Sequence, residues 1–458
     1  MRVDGDGRHG WQARIGGGRS IAQDRSTSRY HRVSRSEDES GLVTEVVNDT
    51  ASFDRLGAEW DELLESSSQQ VYFLRHDWNL SWWKHFAPRG SRLHIIVCRD
   101  PRRQLLGLAP FYWRERSFLG LSLARELTLL GMGIELKTGE YMDIVSRRGS
   151  EHRVAAAIAA CLRRSGGWDR LWLHQLPASS VTLPLLARAL GAVARATTCD
   201  RAPYIDTSVE WSAFKRSLGR SMRRNVEYYG RRLRRRYACE FAIVRTQDDL
   251  DAAMNALVRL HQARWTSKGQ FGAFSGGPFE SFLRHAMSQS LANGRLRFWT
   301  LSIDGQVEAA LMGFLDNGVL HYFQKGFNPA YASEDLGNAM LGLCIRECFD
   351  DRHVQAFDFM GGGAAYKTLW ARQSRDMTSY VVDSGTFRSR VFNAKEQSVN
   401  ALKEALRRLT PLPLRAVRRD TLHKWRLRRH LKAPGVSLQQ KILLLALALA
   451  TTLVLALI

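Results

Sequence analysis

Three strand-like stretches, Arg295–Ile303, Gln306–Leu315 and Val319–Phe327, are joined by Asp304-Gly305 and Asn317-Gly318, and this arrangement constrains the fold most. Asp-Gly and Asn-Gly tolerate the positive φ that a tight type I′ turn needs at both central residues. Two such turns in succession predict a three-stranded antiparallel meander. Upstream, Thr246-Gln247-Asp248-Asp249 reads as a capped helix start, followed by Leu250, Ala253, Met254, Leu257 and Leu260 at helical spacing. A second helix is predicted over Pro278–Leu291. Beyond Pro329, the spacing of Leu336, Ala339, Met340, Leu343 and Cys344 predicts a helix. An apolar strand near Ala356–Phe359, a short helix over Ala364–Ala371 and a last strand over Thr378–Val382 follow. A helix between two neighbouring strands of one sheet forces a parallel crossover, so the sheet must be mixed.

Val43–Arg201 is a fainter echo of this order. Phe53–Leu64 and His76–His85 read as helices, Leu93–Arg99 and Gln104–Trp113 as a hairpin, Glu151–Arg164 as a helix and Arg170–His174 as a strand. A long irregular connection lies between the hairpin and the 151–164 helix. Two tandem domains of one α/β fold are expected, over 43–204 and 205–385, each a mixed, mostly antiparallel sheet flanked by helices; one large α/β domain is the alternative.

The ends differ from this middle. Residues 1–42 form an Arg-, Ser- and Gly-rich leader without apolar periodicity, and Met1–Ser40 has no apolar run of the kind a secretory signal needs. Residues 386–441 form a basic helical segment, in which Arg407, Arg408, Arg415, Arg418, Arg419 and Lys424 precede a further basic run ending at Lys432. Ile442–Ile458 is uncharged and, as a helix, would span about 25 Å, the lower limit for crossing a bilayer. We expect a C-terminal hydrophobic helix acting as a tail anchor at the cytoplasmic face of the inner membrane, with the basic flank on anionic lipid. A buried or interfacial helix on a soluble cytoplasmic protein is the alternative.

The 458 residues, 45% hydrophobic with 13 Trp, exclude global disorder, and the net charge of +22 predicts attraction to polyanions. Six scattered cysteines lack zinc spacing, so reduced thiols and no metal are expected.

Several local sequences carry a family resemblance: Trp78-Asn79-Leu80-Ser81-Trp82-Trp83, Leu106-Gly107-Leu108-Ala109-Pro110-Phe111-Tyr112, Ser221-Met222-Arg223-Arg224-Asn225, Leu260-His261-Gln262-Ala263-Arg264-Trp265 and Asp358-Phe359-Met360-Gly361-Gly362-Gly363-Ala364-Ala365-Tyr366-Lys367. With their order over residues 43–385, the chain resembles GNAT-superfamily acyltransferases of the bacterial CelD-like kind, associated with cellulose and exopolysaccharide functions. The family's acidic residue before Tyr-Lys is replaced here by Ala364-Ala365. The resemblance implies transfer of an acetyl or longer acyl group from acyl-CoA to an amine or hydroxyl of a sugar or other acceptor, on an envelope-polysaccharide precursor.

The same resemblance implies site residues. Leu336, Gly337 and Asn338 open the crossover helix, whose free N–H groups would meet the CoA diphosphate. The pantetheine arm would pair with Gln324, Lys325, Gly326 and Phe327, and a backbone N–H there would hold the oxyanion. Tyr366 would protonate the departing thiolate, Asp358 would act as base or orient the acceptor, and His261 is an alternative base. Lys367 would face solvent or a CoA phosphate. Arg264 and Trp265 share a helical face with His261 and would line the acceptor site. Arg223 and Asn225 belong to the Arg220–Arg236 segment, whose arginines predict an anionic contact. Its only aromatics are Tyr228 and Tyr229, and no RNA-binding signature accompanies them, so nucleic acid is not expected as a partner. Two rivals remain open: an aminoacyl-tRNA-dependent transferase of the peptidoglycan-bridge type, and a non-catalytic membrane scaffold with a degenerate GNAT fold.

Overall fold

Both turn dipeptides take up the left-handed backbone expected of them in the computed structural model: φ is 50° and 83° at Asp304 and Gly305, and 44° and 74° at Asn317 and Gly318. The structure describes residues 40–409, except 119–120, 133, 135–137, 192–194 and 268–271. The leader up to residue 39, the basic flank beyond 409 and the segment Ile442–Ile458 lie outside the described residues, and with them the expected tail anchor. Among the described residues no helix is long and apolar enough to cross a membrane.

The strands are β1 (Val43–Val47), β2 (Arg92–Arg99), β3 (Leu105–Phe118), β4 (Leu121–Leu129), β5 (Val145–Ser146), β6 (Arg170–Pro177), β7 (Arg195–Asp206), β8 (Cys239–Ile243), β9 (Leu296–Ile303), β10 (Gln306–Asp316), β11 (Val319–Phe327), β12 (Ala356–Asp358) and β13 (Gln373–Asp383). They form one mixed sheet in the order β1-β2-β3-β4-β6-β13-β7-β12-β11-β10-β9-β8, with β5 on β3. The meander β9-β10-β11 is antiparallel, and the helix Leu336–Asp350 makes a parallel crossover from β11 to β12. In the first half, the helix Glu151–Ser165 does the same between β4 and β6.

The order is symmetric about the β13/β7 boundary because each half lodges its last strand in the other. β7 pairs with β12, matching Asp206 to Ala356 and Tyr204 to Asp358, while β13 pairs with β6 and also with β7. The halves share side chains as well as strands. Tyr72 stacks on Phe314 at 4.2 Å between centroids, Trp78 meets Phe282 edge-on at 4.7 Å, and Arg75 forks onto Asp316 at 2.6 and 2.9 Å. The tryptophans of the Trp78–Trp83 motif are therefore core, with Trp78 and Trp82 almost fully buried.

Local signals are realised as the sequence predicts. Thr246 Oγ1 accepts from Asp249 N at 3.2 Å and Asp249 Oδ2 accepts from Thr246 N at 3.2 Å, a complete capping box opening the helix Gln247–Thr266. The stretch expected as one helix over Phe53–Leu64 is two, Thr50–Arg55 and Gly57–Glu65, and a Cβ on Gly57 would lie 3.2 Å from the His76 ring. The irregular connection after the hairpin contains β4 instead of loop alone. Its buried Glu126, which disguises it, is ion-paired to Arg114 on the neighbouring strand.

Candidate active site

The site forms where β11 leaves β12. Their pairing covers only Val319–His321 against Ala356–Asp358, so the edge of β11 from Tyr322 to Phe327 has no strand on that side. β11 is also bulged: Tyr322 pairs with Gly313 and Gln324 with Met312, leaving Phe323 without a cross-strand partner on β10. Gly313 is required there, since a Cβ would lie 2.5 Å from His321 O. The bulge resets the alternation, so Tyr322 and Lys325 share one face while His321 points to the other.

The first face carries the phenol. Tyr366, on the helix Ala365–Trp370, has its hydroxyl 3.3 Å from that of Tyr322, and the Lys325 ammonium sits 4.0 Å from the Tyr366 ring centroid. Burial raises the pKa of Tyr366, opposed by the Tyr322 hydrogen bond and the Arg264 charge. Arg264 stacks 4.8 Å over the Phe327 ring, and a Cβ on Gly337 would lie 2.9 Å from that ring. The end of the unpaired edge therefore lies against the start of the crossover helix. There Asp335 is left-handed, with φ of 54°, and its carbonyl accepts from Asn338 N at 2.9 Å and Ala339 N at 3.0 Å; Leu336 is buried. Gly326 faces the other way, where a Cβ would lie 2.8 Å from His261 N, so this glycine lets β11 seat on the helix Gln247–Thr266.

The second face carries Asp358, next to His321 in register and fully buried. The Tyr141 hydroxyl donates to both carboxylate oxygens at 3.0 Å, Met360 N donates at 2.7 Å, and Arg375 completes an ion pair. Burial pushes the Asp358 carboxyl up to about 6, against the lowering by Arg375, Met360 N–H and Tyr141. A cavity of about 460 Å³ opens beside these groups, walled by Gln69, Tyr141 and Ser179 from the first half and by Asn317, His321 and Asp358 from the second.

The remaining expected residues lie elsewhere or are differently engaged. His261 is buried, accepts from Trp265 Nε1 at 2.9 Å, and is lowered to about 4 by burial; it does not line the cavity beside Asp358. The Lys367 ammonium donates to the carbonyls of Phe359, Met360 and Gly361 at 2.8, 3.0 and 2.7 Å, which uses three N–H donors to hold the turn after β12. Arg223 donates to the carbonyls of Arg216 and Leu218, and Asn225 to the Tyr229 hydroxyl, all around the helix Arg220–Arg236 that packs on the crossover helix. Arg232 and Arg236 from the same helix clamp the buried Glu334 at 3.0 and 2.6 Å.

Sequence reasoning missed Tyr141, Glu140, Arg375 and His321. Glu140 Oε2 accepts from Gly361 N at 2.5 Å, so two successive residues of the first half reach Asp358 and the turn that follows it. Three non-glycine residues with positive φ meet here: Tyr141 at 60°, Met360 at 58° and Gln175 at 54°, whose carbonyl accepts from Tyr141 N. Such strain collects at functional sites but leaves no mark in composition. No spacing rule could have linked Tyr141 to Asp358. His321 had a local signal, as a histidine in the middle of an apolar strand.

Residues 220–368 match the family described as an acetyltransferase (GNAT) domain, so this chain carries a domain of that superfamily. FemX is similar in fold at 8% identity, with 71% of this chain and 95% of that chain covered and a TM-score of 0.52. A tandem GNAT protein from the clavulanic acid biosynthesis pathway is similar over 75% of this chain and 99% of that chain, at 12% identity and a TM-score of 0.41. L-PGS from Bacillus licheniformis is similar over 72% and 92%, at 11% identity and a TM-score of 0.43. No curated protein matches the chain in sequence.

Proposed function

We propose that the chain is an acyl-CoA-dependent acyltransferase whose donor enters the gap between β11 and β12 and whose acceptor arrives from the cavity beside Asp358. One observation carries this reading: β11 is bulged and, from Tyr322 to Phe327, has no strand on the side where β12 leaves it, between a phenol on one face and a buried carboxylate on the other. The free backbone edge accounts for the pantetheine amides and for an oxyanion donor. In the step itself the acceptor nitrogen or oxygen bonds to the thioester carbon and the carbon–sulfur bond breaks. Asp358 takes the proton from the nucleophile and Tyr366 gives one to the thiolate, so no covalent enzyme intermediate forms. Among the described residues no cluster of His, Cys, Asp and Glu could hold a metal, and this route uses none.

Within the same proposal, residues 43–204 and 205–385 are tandem copies of one fold, the first having become the acceptor-side wall. An envelope-polysaccharide precursor as acceptor rests on the CelD-like motifs, and a membrane-face location rests on residues beyond 409. Calorimetry of the full chain with acetyl-CoA, and assay of CoA thiol release, test the reading. Binding in the micromolar range and a large loss of turnover in Tyr366→Phe with acetyl-CoA affinity retained are expected. Absence of acetyl-CoA binding overturns the enzyme reading, and unchanged turnover in Tyr366→Phe removes the general-acid role.

A further inference from the structure

His321 is 3% exposed and forms part of the cavity wall, yet neither of its ring nitrogens has a hydrogen-bond partner among the described residues. A buried polar atom left unpaired costs about 1–3 kcal/mol. Two on one ring, in the wall of a cavity and beside the proposed base, mark groups that a ligand satisfies. Its surroundings say which ligand. Phe73 packs on the ring at 5.3 Å between centroids and Tyr141 at 5.9 Å, and Arg375 contributes a positive charge. Burial lowers the imidazole to about 3, so the ring is neutral and offers one donor and one acceptor.

From this we infer that the cavity binds a hydroxyl-rich, non-anionic acceptor and that His321 is its specificity-determining contact. The inference rests on the acyl-transfer reading and adds to it the residue that recognises the acceptor and the uncharged, hydroxyl-bearing character of the part that enters the cavity. A hydroxyl or amide both donates and accepts, so adjacent hydroxyls can fill both nitrogens of a neutral imidazole. A carboxylate or a fully ionised phosphate can only accept and an ammonium can only donate; either leaves one nitrogen unpaired. The rest of the wall has the same two-way character, with Ser68, Gln69, Gln70, Ser179 and Asn317 supplying hydroxyls and amides. An anion would find little welcome: the wall's guanidinium, Arg375, is committed to Asp358, and Asp376 adds a second carboxylate, itself ion-paired to Arg201 at 3.1 Å. The nucleophile, an amine or one further hydroxyl, then lies toward Asp358.

The test uses the full-length chain, acetyl-CoA and three acceptors: glucosamine, glucosamine 6-phosphate and hexylamine. The expected kcat/KM for glucosamine exceeds both others by roughly tenfold or more, the size of one hydrogen bond. His321→Leu raises the glucosamine KM by about tenfold while the acetyl-CoA KM stays within about twofold, and His321→Asn, which keeps a donor and an acceptor, recovers part of the loss. Glucosamine serving no better than hexylamine, or an unchanged glucosamine KM in a folded His321→Leu, overturns the acceptor assignment alone. Absence of acetyl-CoA binding by the unaltered protein overturns the acyl-transfer reading beneath it.

Discussion

Replacing Tyr141 by Phe removes one hydroxyl from the proposed base and little else. That hydroxyl lies 3.0 Å from both oxygens of Asp358. Burial, and next the Asp358 charge, raise the pKa of the phenol, so it stays protonated and acts as donor. Asp358 itself titrates at about 6, and the phenol's hydrogen bond is one of the interactions holding it down. A hydrogen bond to a charged group contributes about 1.5–3 kcal/mol. At about 1.4 kcal/mol per pKa unit, its loss raises the carboxyl by roughly one to two units, because only the ionised form is deprived. The base is active when ionised, so activity falls on the acid side of its pKa. The acid limb of kcat/KM for the acceptor should therefore move from about 6 to roughly 7–8. The measurement is CoA thiol release at saturating acetyl-CoA, followed from about pH 5 to about pH 9 so that both limbs are bracketed. Asp358→Asn should abolish the limb. A Tyr141→Phe protein whose rate drops equally at all pH values, with the limb in place, would refute the claim that the first half tunes the base of the second.

Three further outcomes are expected. Asp143 is buried with its Oδ1 bonded to Ser180 Oγ at 2.9 Å and Ile144 N at 2.7 Å, and burial raises it from 3.8 to about 7. The folded state therefore keeps this proton after the unfolded chain has lost it. Its contribution is complete below about pH 4 and is lost at about 1.4 kcal/mol per pH unit toward pH 7, so denaturant unfolding should show wild type losing ground to Asp143→Asn across that window; a pH-independent gap would contradict it. Gly326→Ala forces a Cβ to 2.8 Å from His261 N and 2.9 Å from Leu260 Cβ, and should cost about 1–3 kcal/mol in thermal unfolding. An unchanged melting temperature would place β11 differently. Lys367→Met strands three carbonyls and should destabilise the chain by roughly 2–4 kcal/mol while sparing acetyl-CoA affinity; the reverse pattern would restore Lys367 to a phosphate.

What could be read from the sequence was local. The two hairpin dipeptides and the Thr246–Asp249 capping box are chemical rules acting over a few residues, and each element they predicted is present. β7 was hidden for the opposite reason. Pro203 stands in mid-strand, paired with Ser374, where a missing N–H argues against a central strand, and the strand's partners are drawn from the distant β12 and β13. His261 is a related case: a histidine in a motif invites a catalytic role, and its Nε2 accepts from Trp265 Nε1, one helical turn on.

Asp358 unites the two cases. A lone acid on an apolar strand was visible as a candidate, but its properties come from residues far away in sequence. β11 and β7 flank it, Tyr141 and Arg375 bind it, and of these only β11 belongs to the meander that the sequence announces. The exchange of β7 and β13 is what encloses the carboxylate, and that enclosure is the first cause of its raised pKa. A second half cut away at residue 205 would keep Asp358, Tyr366 and the unpaired edge of β11. It would lose Tyr141 and nearly all of β7, leaving the carboxylate open to water with a pKa near its ordinary value. On the proposed acyl-transfer reading, such a fragment retains the donor side of the site but loses the tuned base, which makes the first half part of the chemistry.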